Sequence, residues 1–137
     1  MKTFHMSILK ADGVFVEGEA EIVIIPTIDG KYGVKANHAN IVFSIDPGLL
    51  QYRMAGGEMK EAFVASGMMR FEDNDALILV ESAEHPEDID EVRAREKEAE
   101  SREAMLQKKS RMDYYLAQAS LIRATERLKV KNKKNFR

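Results

Sequence analysis

Residues 76–99 read ALILVESAEHPEDIDEVRAREKEA, and the character of the chain changes within this stretch. Before it, short runs rich in β-branched and aromatic residues alternate with turn signals, which is typical of strands. After it, the chain from Glu87 to Lys131 has no Gly and no Pro and consists largely of strong helix formers. We therefore predict two regions, residues 1–85 and residues 86–137.

The first region predicts an all-β domain. Turn signals such as Asp12-Gly13 and Asp29-Gly30 recur about every 8–12 residues, a spacing that favours a sandwich or barrel. The strands follow one another too closely for crossover helices, so we expect largely antiparallel pairing. Glu19 and Glu21 lie on one face of a predicted strand and indicate a solvated face. The predicted strand runs are 4–8, 14–16, 20–25 (stopped by Pro26), 41–45, 49–54, 62–65, 68–71 and 76–80.

The second region predicts an antiparallel hairpin of two helices, each of about five turns. Pro86 suits the first turn of a helix, and the acidic residues after it favour the positive end of the helix dipole. Ser110 with Asp113 resembles a capping box and marks the start of the second helix. An apolar stripe at helical spacing predicts the surface that packs within the hairpin: Met112, Tyr115, Leu116, Ala119, Ile122 and Leu128.

Composition and motifs exclude several classes of function. The 137 residues include no Cys, which excludes disulfides and thiol metal sites, and no stretch is apolar enough to span a bilayer. His5, His38 and His85 lack metal-ligand spacing. The chain has no Walker loop, serine-hydrolase or zincin motif, so we do not expect an independent enzyme. From Lys108 onward, 10 basic and 2 acidic residues give a net charge of +8, without the motifs of nucleic-acid binding.

The chain resembles the epsilon subunit of bacterial F-type ATP synthases over nearly its whole length. In the first region the resemblance lies in VEGEA at 16–20, DGKYGV at 29–34 and PGLL at 47–50. In the second it lies in IDEVRA at 89–94 and RATERLKV at 123–130. The fold that this resemblance implies is a β-sandwich followed by an α-helical antiparallel hairpin.

The resemblance also implies a function. Such a subunit is a non-catalytic part of the central stalk, or rotor, and couples ion translocation to ATP synthesis at the cytoplasmic face of the cell membrane. Its sandwich contacts the gamma subunit and the c-subunit ring, with Lys31 and His38 as candidate contact residues here. Its helices extend towards the catalytic alpha and beta subunits and inhibit ATP hydrolysis, a role that the basic tail fits. Contact with the membrane is indirect, through the complex.

No cofactor is required, but some members of the family bind regulatory ATP in the folded hairpin. The residues that match their site are Glu84, Ile89, Asp90, Arg93, Ala94, Arg123 and Arg127. The arginines suit phosphate oxygens, and Arg123 and Arg127 share one helix face. Glu100 stands where those members have another arginine.

Three alternatives stay open. Asp90 and Arg93 can form an i,i+3 ion pair with no role in binding. His38 can be a loop or interface residue. The chain as a whole can be a free-standing nucleotide-sensing protein. The sequence also departs from the family at Lys31, which replaces an acid, and at Asn37 and Asn40, which replace Gly and Pro.

Overall fold

The computed structural model describes residues 2–107 and 111–135. The chain divides into two compact units, Met1–Glu84 and His85–Arg137. The first is a nine-stranded β-sandwich and the second is built from two packed helices, which confirms the predicted fold class. The strands are β1 Phe4–Lys10, β2 Gly13–Thr27, β3 Gly30–Lys35, β4 Ile41–Ile45, β5 Gly48–Met54, β6 Met59–Val64, β7 Gly67–Glu72, β8 Asp75–Val80 and β9 Ala83–Glu84.

Strand β2 links the two layers of the sandwich. Its first half, through Ala20, pairs with β1, and its second half pairs with β3 and β5. One layer is therefore β4-β7-β8-β1-β2 and the other is β3-β2-β5-β6-β9. Among the described strands, every pairing is antiparallel except that of β1 with β8, in line with the largely antiparallel arrangement that was predicted.

The sequence prediction divided β2 into two strands and ended the second at Pro26, and the structure corrects both points. The backbone continues through Gly18, whose φ of 151° suits a residue without a side chain. Pro26 remains within the strand because its missing N–H costs little near the strand end. Its carbonyl accepts a hydrogen bond from the Asp46 N–H at 3.0 Å.

A β-bulge at Glu21 lies where β2 passes from one layer to the other. Ala20 pairs with Met54 and Ile22 with Arg53, so Glu21 is the extra residue on β2. The bulge turns the Glu21 side chain to Arg53, whose Nε lies 2.5 Å from Oε2, and the Gly56 N–H donates to Oε1 at 3.2 Å. Glu21 is therefore buried, and the prediction of a solvated face was wrong for this residue.

The core lies between the layers and is continuous. Phe4, Met6 and Ile8 of β1 are fully buried, as their alternation predicts. Phe4 packs edge-on against Phe71, with ring centroids 5.5 Å apart. The other layer contributes Val23, Ile25, Leu50 and Tyr52.

The second unit starts with a 3₁₀ turn, Pro86–Asp88, followed by α1 Glu91–Gln107 and α2 Arg111–Asn135. Pro86 therefore opens a 3₁₀ turn instead of the predicted α-helix. Asp90 is the N-cap of α1, because its Oδ1 accepts the Arg93 backbone N–H at 3.0 Å. α2 is longer than predicted. The proposed cap at Ser110 lies outside the described residues.

Within residues 2–107 and 111–135, neither helix combines the length and the apolar composition that a membrane span requires.

Apart from Leu128, the helices pack through residues that were not in the predicted stripe. Ala94 and Ser101 of α1 are buried, as are Ala117, Ala124 and Leu128 of α2. Thr125 Oγ1 donates to Glu98 Oε2 at 2.9 Å across the pair, and Lys131 Nζ donates to the Pro86 carbonyl at 3.2 Å.

Most of the predicted packing stripe is exposed instead. Met112, Tyr115, Leu116 and Ile122 are between 44% and 67% exposed, and only Leu128 of the predicted set is buried. The packing surface was mispredicted because α2 carries apolar residues on two faces, and most of the larger side chains lie on the solvent-exposed face. Small residues on the inner face let the two helices approach closely.

A substitution at Gly67 tests how closely β7 and β8 approach each other. A Cβ at this position would lie 2.0 Å from the Leu79 carbonyl oxygen and 2.8 Å from Val80 Cα. We expect Gly67→Ala to destabilise the protein by about 3 kcal/mol, because backbone atoms of the neighbouring strand would have to move. The measurement is urea unfolding. Gly33→Ala is the matched control, since its Cβ would meet only Ile24 Cγ1 at 3.9 Å. Equal stability of the two variants would contradict the close approach.

The Glu21–Arg53 pair predicts a pH dependence. The Arg53 guanidinium, and after it the Gly56 N–H, hold the pKa of the Glu21 carboxyl below its ordinary value of 4.5, against an opposing effect of burial. A lowered pKa in the folded state gives stability that is present above the ordinary pKa and lost as the pH falls through the lowered one. We expect the unfolding free energy to fall more steeply below about pH 4.5 in the native chain than in Glu21→Gln. Glu19→Gln, at an exposed neighbour, should follow the native curve.

Candidate functional site

The seven residues of the predicted ATP site are divided between the two units. Glu84 belongs to β9 of the sandwich unit. In the helical unit, Ile89, Asp90, Arg93 and Ala94 lie around the start of α1, and Arg123 and Arg127 lie in α2. Ile89 and Ala94 are buried, Asp90 and Arg93 are exposed, and the two α2 arginines are half-buried.

Asp90 and Arg93 make a contact that neither sequence hypothesis predicted. The Arg93 backbone N–H, and not its guanidinium, bonds to the Asp90 carboxylate. The predicted i,i+3 ion pair is therefore replaced by a helix cap, which satisfies one of the N–H groups left open at a helix start. The Arg93 guanidinium extends from the exposed side of the first turn.

The hydrogen bond between Glu98 and Thr125 fixes the register of the two helices. Because α1 and α2 run antiparallel, a residue two positions after Thr125 is about level with one two positions before Glu98. Arg127 is therefore about level with Glu96, and Arg123 with Glu100. The acid that replaces a family arginine thus lies at the height of one of the predicted phosphate-binding groups.

A cleft of about 400 Å³ lies between the same two helices. None of the seven predicted ATP residues lines it. Ser101, which is 4% exposed, contributes to its wall. The residues around it are Lys97, Glu100, Ser101, Ala104, Gln107, Asp113, Leu116, Ala117 and Ser120.

His38 takes part in the packing at one end of the sandwich. Its Nδ1 lies 2.7 Å from the Ala39 carbonyl oxygen, and its Nε2 lies 3.0 Å from the Tyr32 hydroxyl. With Nδ1 protonated, Nε2 accepts the hydroxyl proton and both contacts are hydrogen bonds. The ring also meets Phe71 edge-on at 5.9 Å. Both ring nitrogens are thus engaged, in keeping with a loop residue.

The loop before His38 keeps a backbone conformation that suits glycine although it carries Asn37. The φ of Asn37 is 66°, in the left-handed region that asparagine tolerates better than most residues. Its N–H donates to Asn74 Oδ1 at 2.7 Å, and Asn40 Oδ1 accepts the Asp73 N–H at 3.1 Å. The loop is therefore held to the β7–β8 turn by the side chains of Asn40 and Asn74, while Asn37 contributes its backbone N–H.

Lys31 lies at the start of β3, beside the turn that joins β2 to β3. The turn is held by Thr27, whose Oγ1 donates to the Gly30 carbonyl at 2.6 Å and accepts the Asp29 N–H at 3.3 Å. Ile28 at its tip is 85% exposed, and Lys31 is exposed as well. The turn therefore presents an apolar and a basic side chain on a rigid support.

Sequence reasoning missed one exposed surface. It is the side of the layer β4-β7-β8-β1-β2 that faces away from the core, and we call it the outer face. Strand register places Met68 opposite Leu79, Leu79 opposite Leu9, and Leu9 opposite Val14, which forms one apolar row across four strands. Val42 lies on the same face.

Most of the apolar row is exposed, since Met68, Leu79 and Val14 are 44–59% accessible and Leu9 is half-buried. Val42, beside the row, is 61% accessible. The core beneath the row is already complete, so these side chains add nothing to it. The uninterrupted apolar run ALILV at 76–80 was the signal for this surface, because a strand with one wet face usually alternates. Apolar exposure of this kind marks a surface that a partner covers.

Comparison with known proteins gives results for both units. The family model described as "ATP synthase, Delta/Epsilon chain, beta-sandwich domain" matches residues 3–86, and "ATP synthase, Delta/Epsilon chain, long alpha-helix domain" matches residues 87–132. An ATP synthase epsilon chain from Caldanaerobacter subterraneus subsp. tengcongensis is 38% identical over 133 residues, 96% of each chain.

Two solved structures have the same fold. A chain of the Euglena gracilis mitochondrial ATP synthase OSCP/F1/c-ring structure superposes with a TM-score of 0.80 at 18% identity, over 100% of this chain and 83% of that one. A chain of the Tetrahymena thermophila mitochondrial ATP synthase central stalk/c-ring gives 0.65 at 12% identity, over 93% and 95%. With both family models matched in order along almost the whole sequence, this chain belongs to the epsilon-subunit family of F-type ATP synthases.

Proposed function

We propose that this chain is a non-catalytic subunit of the central stalk, which couples ion translocation to ATP synthesis and restrains ATP hydrolysis. The observation that carries this proposal is the exposed apolar row of the outer face. A sandwich with a complete core has no structural need for Met68, Leu79 and Val14 at its surface. A subunit held permanently against a partner does need such a surface, because apolar area removed from water is worth about 25 cal/mol per Å².

We assign two surfaces of the sandwich, the outer face and the β2–β3 turn, to two partners. The gamma subunit covers the outer face, and the turn with Ile28 and Lys31 contacts the c-subunit ring. The rigid hydrogen-bonded turn supports this second assignment, since a torque-bearing contact benefits from a fixed backbone. The chain would then lie at the cytoplasmic face of the cell membrane, attached through the complex.

The helical unit supplies the restraint. α2 carries small apolar residues on the side that packs against α1 and larger ones, Met112, Tyr115 and Ile122, on its exposed side. A helix that is apolar on two opposite faces is suited to a second set of contacts beyond those in the hairpin. Its basic second half favours acidic segments of the alpha and beta subunits. The same helix therefore fits both a folded and an extended arrangement.

ATP is a regulatory ligand in this proposal, and Glu100 weakens its binding. Arg93, Arg123 and Arg127 supply three cationic groups for phosphate. Glu100, about level with Arg123, opposes them with a negative charge. Repulsion between a carboxylate and a polyphosphate is stronger in a partly desolvated groove than in water. We therefore propose weaker ATP binding than in members with an arginine at this position.

Copurification tests the main proposal. A tagged chain expressed in its own cell should retain the gamma subunit, and Leu79→Asp should lose it because a charge would be desolvated in the apolar contact. Met59→Asp is the matched control, since Met59 is 41% exposed and lies on β6 of the other layer. A native chain that never retains gamma would contradict the proposal and favour a free-standing nucleotide sensor.

Removal of the helical unit tests the restraint. Deletion of residues 87–137 should raise ATP hydrolysis by the reconstituted complex several-fold and leave assembly intact, because the sandwich has its own core. The measurement is steady-state phosphate release, with gamma content as the assembly control. Unchanged hydrolysis in a fully assembled complex would remove the inhibitory role.

Calorimetry on the isolated chain tests ATP binding. Glu100→Arg should tighten the Kd for ATP by about tenfold, which corresponds to about 1.4 kcal/mol. Arg93→Ala should weaken binding, and Glu103→Arg, with the same charge change at another exposed α1 position, should change it little. Equal tightening by both charge variants would show a general electrostatic effect and not a site.

A further inference from the structure

On the same outer face, beyond one intervening row of side chains from the apolar row, lies a row of charged residues. Strand register places Glu72 opposite Asp75, Asp75 opposite His5, and His5 opposite Glu19. We call these four residues the acidic row. All four are exposed. Directly opposed side chains in a sheet have Cβ atoms about 4.5–5.5 Å apart, so the four side chains form one continuous strip.

A middle row separates the acidic row from the apolar row. Arg70 lies opposite Leu77, Leu77 opposite Ser7, and Ser7 opposite Glu17. Ser7 Oγ donates to Glu17 Oε2 at 3.0 Å, and His5 Nε2 lies 3.3 Å from the same hydroxyl. Because the Ser7 proton is given to Glu17, the His5 contact is a hydrogen bond when Nε2 is the donor. This chain of contacts anchors the His5 and Glu17 side chains on the outer face.

The charges of the acidic row and the middle row do not cancel. Glu17, Glu19, Glu72 and Asp75 are four carboxylates, while Arg70 is the guanidinium of the middle row and lies 3.8 Å from Glu72. Glu17 is 54% exposed and lies 3.9 Å from His5, which is 46% exposed. Asp75 and Glu19 flank His5 on the neighbouring strands and face the solvent. The outer face is thus apolar along one side and negative along the other.

A surface of this kind restricts the partner that can cover it. A wholly apolar partner would desolvate the carboxylates without compensation, and an acidic partner would be repelled by them. A partner with Lys or Arg beside its own apolar strip satisfies both halves and gains orientation, because the charges match in only one of the two directions.

Resting on the proposed function, we propose that the gamma-subunit surface that covers the outer face is an apolar strip bordered on one side by Lys and Arg side chains, which lie over Asp75 and Glu19. The apolar row supplies most of the buried area. The acidic row sets the direction of docking and speeds the encounter.

Association kinetics test the proposal. The partner is the catalytic complex of alpha, beta and gamma subunits prepared without this chain. The variants are the double charge reversal Asp75→Lys with Glu19→Lys, and Leu79→Asp. At about 50 mM salt we expect the double reversal to slow association about tenfold, and the difference to shrink at high salt as screening increases. Glu58→Lys, an exposed acid in the β5–β6 loop, is the charge-matched control and should bind like the native chain.

The outcomes separate the two proposals. If Leu79→Asp abolishes binding while the double reversal binds at the native rate, the basic border is wrong and the docking face stands. Faster association of the double reversal would mean an acidic border and would also overturn the inference. If both variants bind like the native chain, neither the face nor the border is correct. Unfolding curves identify any variant whose fold is impaired, and single reversals at Asp75 and Glu19 then replace the double one.

Discussion

The ion pair between Glu21 and Arg53 stabilises the bend in β2, and the two-layered arrangement of the sandwich depends on this bend. β2 has to serve two layers, and a strand that changes layers must bend. The bend comes from one extra residue in the β2–β5 ladder, and the side chain of that residue is turned inward. A carboxylate in this position is costly unless it is bonded, and Arg53 with the Gly56 N–H provides the bonds. Both layers are connected through β2, so this corner positions β3 and β5, and through β5 also β6 and β9, relative to the other layer.

The two units differ in the size of the side chains that they bury. The sandwich encloses large side chains such as Phe4, Phe71 and Tyr52, and has a surplus of apolar residues on its outer face. The helical unit buries mainly alanine and serine, with Leu128 and Val130 as larger buried side chains of α2. Small residues bury little area, so the helix pair is held more weakly per residue than the sandwich. This difference suits the proposed division of roles, in which the sandwich is held against a partner and the helical unit makes a second set of contacts.

Much of the fold was predictable because it follows from local rules. The alternation of Phe4, Met6 and Ile8 identified a strand with one buried face, and the absence of Gly and Pro after Pro86 identified the helices. The bulge was not predictable, since a glutamate among valines and isoleucines gives no local sign that its partner is Arg53. The stripe on α2 was assigned to the wrong face because helical spacing shows that residues share a face, but not what covers it. Asp90 was predicted to bind ATP or to pair with the Arg93 side chain, and neither hypothesis included its role as a helix cap, which depends on where α1 begins.

The pairing of β1 with β8 has a consequence for the order of folding. His5 lies beside Asp75, so β1 stays unpaired on one edge until almost the whole unit has left the ribosome. Contacts between such distant positions form slowly. The edge of β1 is meanwhile available to other chains, and aggregation during synthesis is the expected cost of this topology. The helices fold from contacts nearer in sequence, so the helical unit is expected to reach its structure sooner than the pairing of β1 with β8.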